Sequence, residues 1–452
     1  MANYLAVTVK LWGHTVGYMA WNEERGYATF EYEPDFLKQG LNISPLYMSL
    51  DDARRAPDNI YSFQENKNDT YLGLPGFISD ALPDKFGNRV IDAWLARIGR
   101  QKSSFSPLER LCYMGTRGMG ALEFFPHNHP TNLNRTTEVQ IGELVSLAQQ
   151  IMDERSRLDT SLNQEDEDKT EAMLDILKVG ISAGGARPKA VIAINDDLNI
   201  LSGQGHVPEG YTHWLLKFDG VTDEELGEPK GYGRIEYAYY LMALNAGIEI
   251  EESHLLEEDG RAHFITKRFD RIGNDKLHML SLCGMAHFDF NQAGAYSYEQ
   301  LFRVMRELRD IGNPDFIQQY RRILFNVIAR NQDDHTKNVS FLMNPEGMWS
   351  LSPAYDVTYS YNPDGLWTNV HQMSLCNKRD NFTANDLVEL GKFAGVAKPD
   401  EIIEDVLNVV EKWPEYAQEA GVPEHQIESI QVAHRVKDIR GKLDQSSEMI
   451  LK

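Results

Sequence analysis

The chain has 452 residues, 42% of them hydrophobic, which is enough for two or three folded domains with substantial cores. No apolar run approaches the roughly 18 residues of a membrane span, the first residues lack the basic and apolar segments of a secretory signal, and the three cysteines are widely spaced, so we expect a cytoplasmic protein that does not enter membranes. The net charge of −23 at pH 7 opposes the phosphate backbone of DNA, so we expect no strong direct binding to DNA.

The first predicted elements lie in residues 1–130, which we interpret as an N-terminal domain. Apolar residues alternate with others over residues 5–11, a pattern typical of a half-buried strand, and the glycines that follow indicate a hairpin. A helical pattern then runs through residues 90–95. A strand-like run over residues 121–125 follows a glycine-rich segment.

Residues 131–178 form a predicted helical linker region, in which apolar residues from 141 to 152 fall on one helical face. Two segments near it could bind a metal, but surface loops explain them better. The His-x-His segment at residues 127–129 is surrounded by prolines and lacks a third ligand nearby. The acidic run at residues 165–168 suits a solvated loop before the positive end of a helix over residues 170–178.

The remaining chain divides into a β-rich part, residues 179–290, and a mostly helical part, residues 291–452. In the β-rich part, strands are predicted at residues 190–194, at residues 213–218 and in a stretch ending at residue 269, with a helix at residues 235–244. An amphipathic stripe over residues 316–328 predicts a long helix in the second part. A small β-rich part followed by a helical part is the outline of a bilobal kinase.

Phosphoryl transfer needs a backbone loop and a lysine for the nucleotide phosphates, an acid that holds this lysine, an Asp for the attacking hydroxyl, and an Asn and an Asp for Mg²⁺. Adjacent glycines within Ser182–Lys189 would let backbone N–H groups turn towards an anion, although a plain tight turn explains them equally well. Lys217 ends an apolar strand, and Glu236, early in the next helix, is its predicted partner. The alternative is an edge-strand lysine whose ammonium group lies in water.

The second half of this set lies further along the chain. Asp333 and Asn338 have the Asp-x-x-x-x-Asn spacing of a kinase catalytic loop. They follow the amphipathic helix and precede an apolar strand, which favours a catalytic loop over a solvated turn. Asp356 comes after the next apolar strand, where a Mg²⁺-binding Asp belongs, although the usual Asp-Phe-Gly is absent.

These segments resemble the HipA family of bacterial kinases. The motifs are Ser-x-x-Gly-Ala-x-x-Lys at residues 182–189, Lys-Arg-Phe-Asp-Arg at 267–271, Leu-Ser-Leu at 280–282, Asp-Asp-His-Thr-Lys-Asn at 333–338 and Leu-Ser-Pro-Ala-Tyr-Asp at 351–356. Residues 82–87 and 119–123 resemble the N-terminal domain of the family. The resemblance covers nearly the whole chain. It implies an α+β fold in which an N-terminal β-containing HipA domain packs on a bilobal protein-kinase-like fold with a mostly helical C-lobe.

The resemblance also implies roles for individual residues. Asp333 would orient and deprotonate the substrate hydroxyl, and Asn338 and Asp356 would hold Mg²⁺. The ATP-binding residues would be Ser182, Ala183, Gly184, Gly185, Ala186, Lys217, Lys267, Arg268, Phe269, His335, Lys337 and Asn338. Among these, the backbone of residues 267–269 would read adenine, and Ser182 would be phosphorylated by the enzyme itself.

The chain departs from the family pattern at two places. Lys267 stands where family members often carry Glu, which puts a side-chain contact to the nucleotide in doubt but leaves backbone recognition of adenine intact. Arg187-Pro188 stands where other members have Gln-Glu, so we expect the phosphate loop to have different dynamics.

The implied function is that of a Mg-ATP-dependent serine/threonine protein kinase, the toxin of a toxin–antitoxin pair. Its substrate would be a cytoplasmic protein such as an aminoacyl-tRNA synthetase or another translation component, and its partner a small helix-turn-helix antitoxin that binds DNA. Two alternatives stay open: a kinase for a small molecule or lipid headgroup, and an inactive co-repressor that only binds the antitoxin. The N-terminal motifs argue against the first, and the intact Lys217, Asp333, Asn338 and Asp356 argue against the second.

Overall fold

The computed structural model describes residues 6–56, 58–97, 99–126, 141, 144–145, 148–149, 151, 187–221, 231–258 and 260–441. They form two compact units. The first unit holds the described residues of Met1–Gly231, His254–Leu280 and Leu342–Gly347, and the second holds those of Tyr232–Ser253, Ser281–Phe341 and Met348–Lys452. The segments predicted as loops or helix at residues 127–129, 165–168 and 170–178, and the loop residues 182–186, lie outside the described residues.

The first unit begins with a five-stranded antiparallel sheet in the order β4-β3-β2-β1-β5. Its strands are β1 (Ala6–Leu11), β2 (His14–Asn22), β3 (Tyr27–Tyr32), β4 (Ile60–Tyr61) and β5 (Leu122–Pro126). Buried and partly exposed residues alternate along β1, so the half-buried strand is confirmed from Ala6 onward. Gly17 lies where β2 passes β3, and a Cβ there would stand 2.2 Å from the carbonyl oxygen of Glu31. The close approach of these two strands therefore depends on a glycine.

The helices of the first unit are α1 (Leu50–Arg55), α2 (Gly76–Ser79), α3 (Lys85–Arg97) and α4 (Pro107–Met114). Short 3-10 turns occur at Phe36–Lys38, Gln64–Asn66 and Lys102–Ser104. The helix predicted through residues 90–95 is confirmed as α3. In α4, Ser106 and Glu109 form a capping box in which each side chain accepts the backbone N–H of the other residue. This arrangement satisfies two donors that the first turn of a helix otherwise leaves unpaired.

A second five-stranded sheet has the order β7-β6-β8-β10-β9. Its strands are β6 (Lys189–Asn195), β7 (Ile200–Ser202), β8 (Tyr211–Lys217), β9 (Ser253–Glu258) and β10 (Arg261–Lys267), which confirms the three strands predicted in this part. Val90 and Ile91 of α3 belong to one buried cluster with Ile192, Leu216 and Ile265 of this sheet. The N-terminal part and the second sheet therefore share a hydrophobic core.

The other strands are short. They are β11 (Arg271–Ile272) and β12 (Asp275–Lys276), which form a hairpin, and β13 (His278–Ser281), β14 (Ser340–Met343) and β15 (Trp349–Leu351), which form a three-stranded sheet in that order.

The second unit is mostly helical. Its helices are α5 (Tyr232–Asn245), α6 (Leu282–Ala286), α7 (Tyr298–Glu307), α8 (Asn313–Ile328), α9 (Ala384–Ala394), α10 (Pro399–Glu411), α11 (Trp413–Glu419) and α12 (Glu424–Ala433), with a 3-10 turn at Thr336–Asn338. The helices predicted at residues 235–244 and 316–328 are confirmed as α5 and α8. α8 contacts α7, α9 and α10, and its residues Ile323, Leu324 and Val327 are fully buried. No helix within the described part of the chain is long and apolar enough to cross a membrane.

Candidate functional site

The predicted catalytic loop follows directly on α8. The helix ends at Ile328, and Arg330 adopts a left-handed backbone conformation with φ 59°, which turns the chain away from the helix axis. The Arg330 guanidinium donates to the carbonyl of Ala433 at 2.8 Å and to Gln332 Oε1 at 3.0 Å. The buried helix therefore fixes where residues 331–338 begin, and the hydrogen bonds of the Arg330 side chain hold the first turn after the helix.

The two adjacent aspartates of this loop have opposite environments. Asp334 is buried and accepts hydrogen bonds from the Tyr298 hydroxyl, from His371 Nδ1 at 2.7 Å and from the backbone N–H of Gln372 at 2.7 Å. Burial alone would raise the pKa of Asp334, but these donors outweigh it, so that the pKa lies below its ordinary value. Asp334 therefore acts as a charged internal anchor for the loop.

Asp333, in contrast, has a side chain that is 41% exposed. Its Oδ1 accepts a hydrogen bond from the indole Nε1 of Trp367 at 2.6 Å, and its backbone carbonyl accepts one from Asn338 Nδ2 at 2.7 Å. His335 Nε2 lies 3.8 Å from the same Oδ1. The structure thus places Asp333, His335 and Asn338 together, and it leaves the Asp333 carboxylate accessible to a substrate.

Aromatic residues contact the other side chains and the backbone of the loop. The Lys337 ammonium lies 5.0 Å from the ring centre of Phe290, and the His335 ring lies 5.3 Å from it. The Thr336 hydroxyl donates to the carbonyl of Phe288 at 2.6 Å, and the Tyr355 hydroxyl donates to the carbonyl of Lys337. These contacts fix the backbone of the loop, and the His335 side chain is largely buried, with 14% of its surface exposed.

The residues predicted to hold Mg²⁺ are chemically suited to it. Because Asn338 uses Nδ2 to reach the carbonyl of Asp333, its Oδ1 is turned away from that carbonyl. Asp356 has a left-handed backbone with φ 52°, a conformation that non-glycine residues rarely adopt, and its carbonyl accepts a hydrogen bond from Asn331 Nδ2 at 3.3 Å. Within the described residues no group of three or more His, Cys, Asp or Glu side chains could hold a metal ion. One carboxylate and one amide oxygen are nevertheless the number of protein ligands typical of Mg²⁺ bound with nucleotide phosphates.

The predicted nucleotide residues lie in several elements. Lys217 ends β8 in the first unit, with its ammonium 5.8 Å from the Phe264 ring centre, whereas Glu236 is buried in α5 of the second unit, so their pairing stays a prediction. Lys267 ends β10, and the backbone N–H of Arg268 donates to the carbonyl of His213 at 2.9 Å. Ser182 and residues 183–186 are outside the described part.

The Lys-Arg-Phe-Asp-Arg motif also contains an ionic cluster that sequence reasoning missed. We call Arg268, Asp270 and Arg271 the Arg–Asp–Arg cluster. Asp270 is fully buried and accepts hydrogen bonds from Arg268 Nε at 2.9 Å, Arg268 Nη2 at 2.8 Å, Arg271 Nη1 at 2.6 Å and the backbone N–H of Gly120 at 2.7 Å. Arg271 Nη2 donates to the carbonyl of Gly118 at 3.0 Å. The cluster therefore ties the glycine-rich segment before β5 to the end of β10.

Trp367 and Gln372 were likewise missed. The available signal was a short polar segment, Trp-Thr-Asn-Val-His-Gln at residues 367–372, downstream of the predicted Mg²⁺-binding Asp356. No spacing rule connects such a segment to a catalytic loop more than thirty residues earlier, and only the folded chain brings the two together.

Comparisons with known proteins identify the family of this chain and its fold. The family model described as the HipA-like C-terminal domain matches residues 181–414, and the model of the HipA N-terminal domain matches residues 7–125. A "putative kinase" of Haemophilus influenzae is 23% identical over 288 residues, which are 57% of this chain and 80% of that protein. A second "putative kinase", from Sinorhizobium fredii, is 22% identical over 192 residues, which are 39% of this chain and 42% of that protein.

Among solved structures, the toxin HipA of Shewanella oneidensis, in complex with HipB and its operator DNA, matches with a TM-score of 0.67 and 16% identity over 97% of this chain and 98% of that chain. This likeness shows the fold, and it confirms the predicted α+β architecture with its β-containing N-terminal part and its helical C-terminal part. Since the C-terminal family model alone covers more than half of the sequence, the chain belongs to the HipA family.

Proposed function

We propose that this chain is a Mg-ATP-dependent protein kinase that transfers the γ-phosphate of ATP to a serine or threonine hydroxyl in the cytoplasm. The observation that carries the proposal is the contrast within residues 333–334: one carboxylate is buried as an anchor, and the other is accessible beside Asn338. Membership in the HipA family and the likeness to two "putative kinases" support the same function.

In the proposed reaction, Asp333 accepts the proton of the substrate hydroxyl while the hydroxyl oxygen forms a bond to the γ-phosphorus and the bond to ADP breaks. Asn338 Oδ1 and the Asp356 carboxylate would hold Mg²⁺, which neutralises charge on the phosphate oxygens when bound. Lys217, paired with Glu236, would contact the phosphates. The backbone of residues 267–269 would read adenine. The backbone N–H of Arg268 already donates to the carbonyl of His213. The contacts to adenine would therefore come from the backbone groups of the other residues of this segment, Lys267 and Phe269.

The experiment is transfer of label from γ-³²P ATP with Mg²⁺, by the protein alone and with a cell lysate. Label on protein supports the proposal, label on small molecules supports a small-molecule or lipid kinase, and no label supports an inactive co-repressor. Asp333→Asn should lower protein labelling by about 10²–10⁴-fold, as expected for loss of a general base. Asp364→Asn, an exposed acid in the same unit, is the matched control and should label like the wild type. Near wild-type labelling by Asp333→Asn would contradict the assignment.

We also propose that the chain is the toxin of a toxin–antitoxin pair whose target is a translation component such as an aminoacyl-tRNA synthetase, and that a helix-turn-helix antitoxin supplies the contacts to DNA. The Shewanella relative was solved with HipB and operator DNA, and the net charge of −23 suits a basic partner better than bare DNA. Overexpression should arrest bacterial growth for the wild type but not for Asp333→Asn. The purified chain alone should give no gel shift at about 0.15 M salt.

Self-phosphorylation of Ser182 is the regulatory part of the proposal. A phosphate on Ser182 would add about −1.5 to −2 charges to a loop that has to accommodate the triphosphate of ATP. Mass spectrometry should find this phosphate in the wild type and not in Asp333→Asn. Phosphorylated protein should bind ATP weakly, and normal binding would refute the electrostatic reasoning.

A further inference from the structure

Among the described residues, the contacts to the Asp333 carboxylate are made at Oδ1. Its Oδ1 lies 2.6 Å from the Trp367 indole nitrogen, which is the distance of a strong hydrogen bond to a charged acceptor. His335 Nε2, at 3.8 Å, is too far from Oδ1 for a hydrogen bond. Within the described part of the chain, no hydrogen bond or ion pair reaches Oδ2. An aspartate side chain turns easily about its last bond, so this single indole contact decides where the second oxygen points.

The backbone of Trp367 is linked through Gln372 to the residues on both sides of Asp333. Gln372 is buried, and its side-chain N–H donates to the backbone carbonyl of Trp367 and, at 3.4 Å, to that of Gln332. Its backbone N–H donates to Asp334 Oδ1 at 2.7 Å. One buried residue therefore links the backbone of Trp367 to both chain neighbours of Asp333. Leu366, next to Trp367, is in contrast fully exposed.

We infer that Trp367 is a positioning residue for the phosphoryl transfer proposed above. It binds Asp333 Oδ1 and so aims Oδ2 at the substrate hydroxyl, and Gln372 keeps it in place. The inference rests on the proposed function of Asp333 as the base. It does not follow from the kinase motifs, because no motif of the sequence includes a tryptophan at this position. Proton abstraction depends on alignment within fractions of an ångström, so loss of the indole N–H should lower the rate without weakening the binding of ATP.

The test is Trp367→Phe, which keeps an aromatic ring and removes the N–H donor. We expect kcat for protein phosphorylation to fall about 10- to 100-fold, while KM for ATP stays within about twofold because Trp367 is not among the nucleotide residues. Two controls isolate the effect. Leu366→Ala changes the exposed neighbour, and Trp12→Phe removes another indole hydrogen bond, to the carbonyl of Lys276 at 2.7 Å in the first unit. Both should keep the wild-type kcat.

A double-mutant cycle tests whether Trp367 acts through Asp333. In the Asp333→Asn background, Trp367→Phe should cause almost no further loss, since the contact between Trp367 and the Asp333 carboxylate is already changed. A full further 10-fold loss would overturn the inference, and so would an unchanged kcat in the single variant or a parallel loss of ATP affinity. A wild-type protein that labels no protein would refute the proposed function. A wild-type kinase that is insensitive to Trp367→Phe would refute only the role of Trp367.

Nuclear magnetic resonance keeps the inference testable if Trp367→Phe folds poorly. The indole ¹⁵N–¹H signal of Trp367 should move in Asp333→Asn, which weakens the acceptor, and should stay in place in Asp364→Asn. If the Trp367 indole signal has the same chemical shift in Asp333→Asn as in the wild type, the hydrogen bond between the indole and Asp333 is absent in solution and the inference is overturned.

Discussion

Replacing Asp270 by asparagine should destabilise the first compact unit more than any exposed substitution. Asp270 is fully buried and carries four hydrogen bonds, three from the guanidinium groups of Arg268 and Arg271 and one from the backbone of Gly120. Asparagine has nearly the same shape, but it leaves two buried cations without their counter-charge. Removing one partner of a buried ionic network typically costs about 3–5 kcal/mol.

The magnitude follows from competing terms. Each hydrogen bond to a charged group contributes about 1.5–3 kcal/mol, so simple addition over four bonds would exceed the expected loss. The asparagine carbonyl can still accept from Gly120 and from one guanidinium, which restores part of the energy. The net loss of about 3–5 kcal/mol corresponds to a fall in melting temperature on the order of 10 °C for a unit of this size.

The pH dependence has a definite sign. Burial alone would raise the pKa of Asp270, but the two arginines outweigh it and hold the pKa far below its ordinary value. The carboxylate is therefore charged in the folded state, and its contribution is fully present above the ordinary Asp pKa of about 4 and is lost as the pH falls towards the lower folded-state pKa. The difference in stability between wild type and Asp270→Asn should consequently be constant from about pH 5 to 8 and shrink in acid.

Differential scanning calorimetry of the two proteins measures this loss. Asp275→Asn, an exposed aspartate in the neighbouring hairpin strand β12, is the matched control and should change the melting temperature by less than about 2 °C. A loss below about 1 kcal/mol for Asp270→Asn would refute the reasoning that the Arg–Asp–Arg cluster is a buried ionic network that stabilises the first unit.

Three further substitutions should be measured by thermal unfolding. The Asp84 carboxylate is only 5% exposed and lies 3.1 Å from the Lys189 ammonium, so Lys189→Met leaves it without its cation and should lower the free energy of unfolding by about 3–5 kcal/mol. Adding Asp84→Leu should recover part of this loss, and no recovery would contradict the ion-pair explanation. Asp334→Asn should cost about 3 kcal/mol by weakening the contacts to its buried donors; an unchanged melting temperature would show that it is not an anchor. Gly17→Val should cost at least about 2 kcal/mol because its side chain meets the carbonyl of Glu31, and a smaller loss would mean that β2 and β3 separate easily.

Local sequence patterns determined most of the secondary structure. The alternation along β1 and the helical stripe of α8 depend on residues a few positions apart, and both elements lie where the patterns predict them. The Asp-x-x-x-x-Asn spacing was informative for the same reason, since Asn338 Nδ2 donates to the carbonyl of Asp333 within one short loop. Chemistry that lies within a few residues can be predicted from the chain.

Tertiary structure alone decided how the charged residues divide between anchoring and accessibility. The chemistry of Asp333 and Asp334 is identical in the sequence, but Tyr298 and His371, 36 and 37 residues away from Asp334, bury the second carboxylate. The same holds for Trp367 on Asp333 and for Gly120, 150 residues away from Asp270. These contacts produce no periodic pattern or fixed spacing in the sequence, because a hydrogen bond between distant segments depends on how whole elements pack. The sequence by itself therefore determined the elements and predicted the candidate reacting groups. The packing of those elements determined which of these groups are buried and which are accessible.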